Sequence, residues 1–288
     1  MGKQQFLGRV EAWPGGWLIV FFIKQAWAAL FGGLMLGALI LTKYVDLPWL
    51  GRYDWLLIVA LAIQAFMLLT KLEKPAEIIV IATFHLVGLG MEIFKTSSGI
   101  GSWSYPGHAI FHVGNVPLFS GFMYAAVGSY IARAWRVFDL SFTHYPRRVY
   151  TVLLALTIYI NFFSHHYIWD FRYLLFAAVL LLYGRTWVHY TLHITRRRMP
   201  LVVGFGLIAL VIWLAENIGT FTSGWLYPSQ VLHWHLVGLG KLGSWWLLMI
   251  ISFIMVDLLH AAQRTSRWAH KESAYRHGRR MDNHRQDS

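Results

Sequence analysis

Apolar runs recur along the chain, separated by short polar stretches. A helix needs roughly 20 such residues to cross a bilayer core. The pattern predicts eight spans, at about 17–42, 54–71, 76–94, 109–133, 150–165, 171–188, 201–219 and 236–260. The fold class is therefore an all-α polytopic membrane protein. Residues 1–263 read as one transmembrane domain divisible into halves 1–148 and 149–263. Residues 264–288 read as a basic tail expected to be disordered. The segment before the first span lacks a small-residue cleavage site and is not expected to be a removable signal peptide.

Charge orients these spans. Of the 25 Lys and Arg residues, 19 fall before the first span, after each even-numbered span or in the tail. The positive-inside rule then puts both termini in the cytoplasm and the chain in a bacterial inner membrane. The net charge of +12 is explained by these loops and needs no nucleic acid as partner. The expected partners are membrane lipids and a lipophilic small molecule.

Two polar breaks interrupt the pattern in similar ways. Glu92 ends the third span and Glu216 the seventh. Each is followed by a turn, Trp103-Ser104-Tyr105-Pro106 or Trp225-Leu226-Tyr227-Pro228, then by histidines and a Gly-bearing span. Two copies four spans apart and running the same way suggest a parallel 4+4 repeat.

Composition narrows the chemistry. With 57% hydrophobic and 13% charged residues, the chain is too apolar for an ordinary soluble globule. It has no cysteine, which excludes disulfides, thiolate metal sites and cysteine nucleophiles. Histidine, at 14 residues, is abundant.

Orientation sorts those histidines. His108, His112, His165, His166, His233 and His235 fall on the outward side with Glu92, Glu216 and Asp170. His189 and His193 fall on the other side, too far across a core of roughly 30 Å to share one site. That weakens the reading of a di-iron oxygenase built from histidine boxes. The outward set, imidazole with carboxylate and no thiolate, suits Zn, Fe or Mn. His108 and His112, at i and i+4 at the start of the fourth span, are expected to point the same way. Trp103, Tyr105, Trp225, Tyr227 and Asn115 are candidate substrate contacts. A purely structural reading pairs Glu92 with Lys95, and Glu216 with Lys241 or the Asn217 backbone.

EIFKTSSGIGSWSYPGHAIFHVGNVPLF, with HHYIWDFR and WLAENIGTFTSGWLYP, resembles a bacterial integral-membrane family of unknown function, the YoaT type. That resemblance implies membrane location. Glu92, Thr96, Gly101, Trp103, Tyr105 and Val116-Pro117-Leu118 also look like the motifs of membrane carotenoid hydratases, although Trp103 stands where those have a tyrosine. That second resemblance implies addition of water to an isoprenoid double bond, with Glu92 as proton donor.

The expected function is thus a membrane-embedded, metal-assisted enzyme of the hydration or hydrolysis type, with Glu92 and Glu216 as general acid and base. The alternatives are a transporter using the same glutamates and the di-iron oxygenase.

Overall fold

A helix forms at each of the eight predicted apolar runs, and they differ in length and apolarity. The computed structural model describes residues 3–45 and 48–286, with side chains described over 7–45 and 48–263. Among the described residues, four helices are long and apolar enough to cross a membrane. They are α4 (Arg52–Leu69), α5 (Pro75–Lys95), α9 (Leu201–Phe221) and the Gly240–Gln263 part of α10 (Gly240–Gln286). The pair α2 (Gly16–Ala28) and α3 (Leu30–Tyr44) makes a fifth candidate, bent by 71°. Helices α7 (Arg148–Ser164) and α8 (Arg172–Tyr183) are apolar but shorter, and α6 (Ser120–Val137) does not pass the same test. A short α1 (Lys3–Glu11) precedes them. The basic tail expected over 264–288 lies outside the residues whose side chains are described.

Local chemistry explains several boundaries. Helix α5 starts at Pro75, whose missing N–H costs nothing at that position. Glu77 reaches back to accept from the Lys74 backbone N–H at 2.8 Å. The bend between α2 and α3 frees carbonyls in an apolar setting, and Arg133 meets them. This fully buried guanidinium donates to the carbonyls of Trp27, Ala28 and Leu72 at 2.6, 3.2 and 2.7 Å.

Strands appear where only helix and loop were predicted. A small hairpin pairs β1 (His112–Val113) with β2 (Val116–Pro117). A second sheet has the order β3 (Ser141–Thr143), β4 (Trp187–Thr191), β5 (Arg196–Pro200), all antiparallel. The fold is therefore mostly rather than wholly helical. Val188, Tyr190 and Leu192 are buried in alternation, the period of a strand. His189 consequently lies on a strand and His193 in the turn after it, not together on one helix face.

The fourth run also begins later than predicted, at Ser120 rather than near 109. Buried Asp54 accepts from the backbone N–H groups of Ile110 and Phe111 at 3.0 and 2.9 Å, holding that segment as a loop. His108 and His112 therefore sit on exposed loop and hairpin, not on the first turn of a helix.

Helices α5, α7 and α9 end, and α4, α6, α8 and α10 begin, at one end of the bundle, here the glutamate end. Arg52, at the start of α4, donates to the carbonyls of Thr222 and Ser223 at 2.7 and 3.1 Å, which places a cation at the C-terminus of α9. The three-stranded sheet and Arg133 mark the opposite, basic end.

Candidate functional site

Glu92 lies in the last turn of α5 and is only 3% exposed. Trp103 Nε1 and the Tyr105 hydroxyl both donate to its Oε2 at 2.7 Å. The Tyr124 hydroxyl, from α6, donates to Oε1 at 2.8 Å. Tyr124 can come this close because Gly88 lies one turn below Glu92. A Cβ at Gly88 would fall 2.5 Å from the Tyr124 ring.

Glu216, in α9, has a parallel arrangement. Trp245 Nε1, from α10, donates to Oε2 at 2.5 Å, and the Tyr227 hydroxyl bonds to Oε1. At each glutamate, then, an indole binds one carboxyl oxygen and a phenol binds the other. An indole N–H only donates, whereas a phenol both donates and accepts. The indole fixes Oε2 as an acceptor, so a proton on either carboxyl belongs on Oε1, facing tyrosine.

The two clusters meet. Ser104 and Leu226, the middle residues of the matching turns, exchange backbone hydrogen bonds of 2.9 Å in both directions. The Trp103 and Tyr227 rings pack edge-on with centroids 6.2 Å apart. The chain after Tyr227 is held by Asn217, whose Oδ1 accepts from Val237 N at 2.8 Å. Gln230 adds a bond to the His235 carbonyl at 2.7 Å. Burial and the adjacent Glu92 carboxyl keep the Tyr105 hydroxyl well above the ordinary phenol range, so it remains a donor.

Both glutamates open onto one cavity of about 1570 Å³. Its lining runs along α10 from Lys241 to Phe253, roughly 18 Å at ~1.5 Å per residue. Beyond the glutamates the walls are mainly apolar, supplied by α3, α6, α9 and α10.

The lysines do not make the ion pairs of the purely structural reading. Lys95, though one turn from Glu92, donates to the Phe162 carbonyl at 2.8 Å and bonds to His166 Nε2 at 2.7 Å. Lys241 makes no ion pair with Glu216 and lies over the Tyr227 and Trp103 rings, 4.3 and 5.7 Å from their centroids. His166 faces the cavity. Partial desolvation, then the neighbouring Lys95 charge, holds its ring down to about 4.

Of the other predicted site residues, Trp103, Trp225, His165 and His235 also line the cavity. His108, His112, Asn115 and His233 lie exposed, away from that lining. His112 Nδ1 bonds to the Gly114 carbonyl at 2.8 Å. Asp170 is paired with Arg172 at 2.5 Å. Among the described residues, no group of three His, Cys, Asp or Glu is placed to hold a metal ion. The His165 and His166 rings, 4.1 Å apart, form only a pair.

Sequence reading missed Tyr124 and Trp245, although each lies about one turn into the helix that follows its break. Their position relative to the breaks was the available signal.

Fold and site together define a mostly helical protein with four to five candidate membrane-spanning helices and two buried glutamates over an apolar cavity. The model of the family described as "Protein of unknown function (DUF817)" matches residues 17–253, and the chain belongs to that family. It is 43% identical over 249 residues to "Uncharacterized protein YoaT" of Bacillus subtilis (strain 168), covering 86% of this chain and 94% of that protein. Neither match extends to the carotenoid hydratases. No solved structure matches.

Proposed function

We propose that this is a multi-pass inner-membrane enzyme that performs acid–base chemistry on a lipophilic substrate, with Glu92 and Glu216 exchanging the protons. In this reading all eight apolar runs cross the membrane, both termini are cytoplasmic and the glutamate end faces outward. The matched Glu92 and Glu216 clusters, joined through the paired turns, favour a 4+4 repeat. A reporter fused to the C-terminus should read cytoplasmic; a periplasmic signal would reverse the orientation.

The observation that carries the reading is the shared design of the two carboxyl groups. Each is buried, pinned at Oε2 by indole, matched at Oε1 by a phenol able to reverse its hydrogen bond, and open to the same apolar cavity. Hydration fits this set. One carboxylic acid gives its Oε1 proton to an alkene carbon, water adds to the neighbouring cation, and the second carboxylate takes the proton that water loses. The net change is addition of one water molecule. Aromatic faces around the glutamates stabilise positive charge in the low dielectric of the cavity.

Among the described residues no three His, Cys, Asp or Glu come together to hold a metal, so the donor geometry lends the metal-assisted form no support. Transport is the second reading, favoured by the length of the cavity. Its polar steps beyond the glutamates are sparse, and two of them, Gln25 and Tyr130, are bonded to each other at 2.7 Å.

Lipid extracts of cells expressing the wild type, Glu92→Gln and Glu216→Gln test the proposal. The wild type should accumulate a lipid heavier by one water, and both variants should lose it. Identical profiles from all three would defeat the enzyme reading.

A further inference from the structure

Lys95, Lys241 and Arg172 line the cavity at its glutamate end, and of the three only Arg172 has an ion-pair partner among the described residues. Lys95 is only 3% exposed, yet its ammonium has neutral partners alone, the Phe162 carbonyl and His166. Ion pairs among the described residues join Arg136 to Glu77, Arg148 to Asp257 and Arg172 to Asp170, so none involves Lys95 or Lys241. The Lys241 ammonium makes no hydrogen bond to a described residue and rests on two aromatic faces. Arg172 gives its Nε to Asp170, and its terminal nitrogens make no hydrogen bond to a described residue. All three side chains line the same cavity.

An ammonium buried without a counter-charge costs several kcal/mol. A cluster of two lysines and an arginine facing a cavity is stabilised when an oxyanion occupies it. Glu216 makes no ion pair with Lys241 and is already bonded to Tyr227 and Trp245. His166, kept neutral, accepts from Lys95 and so directs that ammonium without adding a fourth charge.

We propose that Lys95, Lys241 and Arg172 seat the oxyanion headgroup of a long-chain amphiphile whose tail fills the apolar cavity. The roughly 18 Å of wall along α10 exceeds the roughly 15 Å hydrocarbon depth of one leaflet, half of a ~30 Å core, so the tail has room. The seat rests on the acid–base reading for its meaning in turnover, since it names the class of lipid brought to Glu92 and Glu216. Binding itself does not depend on that reading.

The test uses full-length protein in zwitterionic nanodiscs, titrated with hexadecyl phosphate, hexadecanol or inorganic phosphate and read by native mass spectrometry. Hexadecyl phosphate should bind on the order of tenfold more tightly than hexadecanol. Lys95→Gln and Lys241→Gln should each erase most of that preference. Lys241→Arg, which keeps the charge, should retain it and shows that a loss in Lys241→Gln is not misfolding. His112→Ala, on the exposed hairpin away from the cavity, should bind like the wild type.

Equal binding of phosphate and alcohol overturns the seat, as does a wild-type preference in both lysine variants. Displacement of hexadecyl phosphate by an equal concentration of inorganic phosphate overturns the lipid assignment, because the oxyanion alone would then suffice. If the preference is absent while Glu92→Gln and Glu216→Gln still abolish conversion, the seat falls and the acid–base reading stands. If the preference is retained and no form converts lipid, the seat stands and the acid–base reading falls.

Discussion

Ser104 and Leu226 exchange two backbone hydrogen bonds of 2.9 Å, and so join two turns that the sequence separates by almost half the chain. Each occupies the middle of an aromatic turn, between Trp103 and Tyr105 or between Trp225 and Tyr227. Three of these four flanking aromatic residues bond to a glutamate, so the bridge fixes the spacing of the two carboxyl clusters.

That bridge predicts an unusual contrast at Ser104. Ser104→Ala keeps the backbone N–H and should leave stability unchanged. Ser104→Pro removes the N–H and leaves the Leu226 carbonyl without its donor, a loss on the order of 2 kcal/mol. Thermal unfolding of the purified protein measures both. Equal unfolding temperatures for the two variants would show that the turns are held by their side chains instead.

Tyr124 supplies the reversible hydrogen bond at Glu92 Oε1. Tyr124→Phe keeps the ring against Gly88 and removes only the hydroxyl. Lipid conversion should fall by roughly 10²-fold, the low end of general acid–base contributions. Stability should fall by only about 1 kcal/mol. A variant that loses stability but converts lipid normally would make Tyr124 a packing residue.

The glutamates and the two turns were legible in the sequence because polar residues inside apolar runs stand out. Their partners from the next helix, Tyr124 and Trp245, were not, since periodicity gives the face of one helix but not which residue lies opposite. Lys95 shows the limit most directly. Its spacing from Glu92 suggested an ion pair, yet Glu92 turns to three aromatic donors and Lys95 to the last turn of α7 and to His166 just beyond it. Spacing gives reach, and the competing partners decide. The β4–β5 hairpin was missed for another reason. Its alternation of Val188, Tyr190 and Leu192 follows directly on an apolar run, which obscures the change from helical to strand period.

The donor geometry leads to an expectation about metal. Zn and Fe in purified, full-length protein should be well below one ion per chain, and His112→Ala should not alter that content. His112 is exposed and its ring bonds to its own hairpin. A stoichiometric ion lost in His166→Ala and Glu216→Ala would restore a metal-assisted mechanism.

Glu11 makes a pH-dependent clasp at the basic end. Its carboxyl accepts from the backbone N–H groups of His193, Ile194 and Thr195 at 2.9, 2.9 and 3.0 Å, and from the Thr195 hydroxyl, tying α1 to the tip of the β4–β5 hairpin. Burial opposes ionisation, but these hydrogen bonds outweigh it and hold the carboxyl down to about 2, from an ordinary value of 4.5. A depressed carboxylate stabilises the fold fully above its unfolded value, and that stability disappears as pH falls toward the folded value. The clasp should therefore be intact above pH 4.5 and lost between there and about 2. Glu11→Gln removes the charge at every pH. The unfolding free energy of wild type minus variant should be on the order of 2 kcal/mol near neutrality and shrink through that acid window. Taking the difference cancels the other carboxylates that titrate there. A difference that stays constant on acidification would mean that Glu11 acts through shape alone, and one that grows would reverse the sign of the linkage.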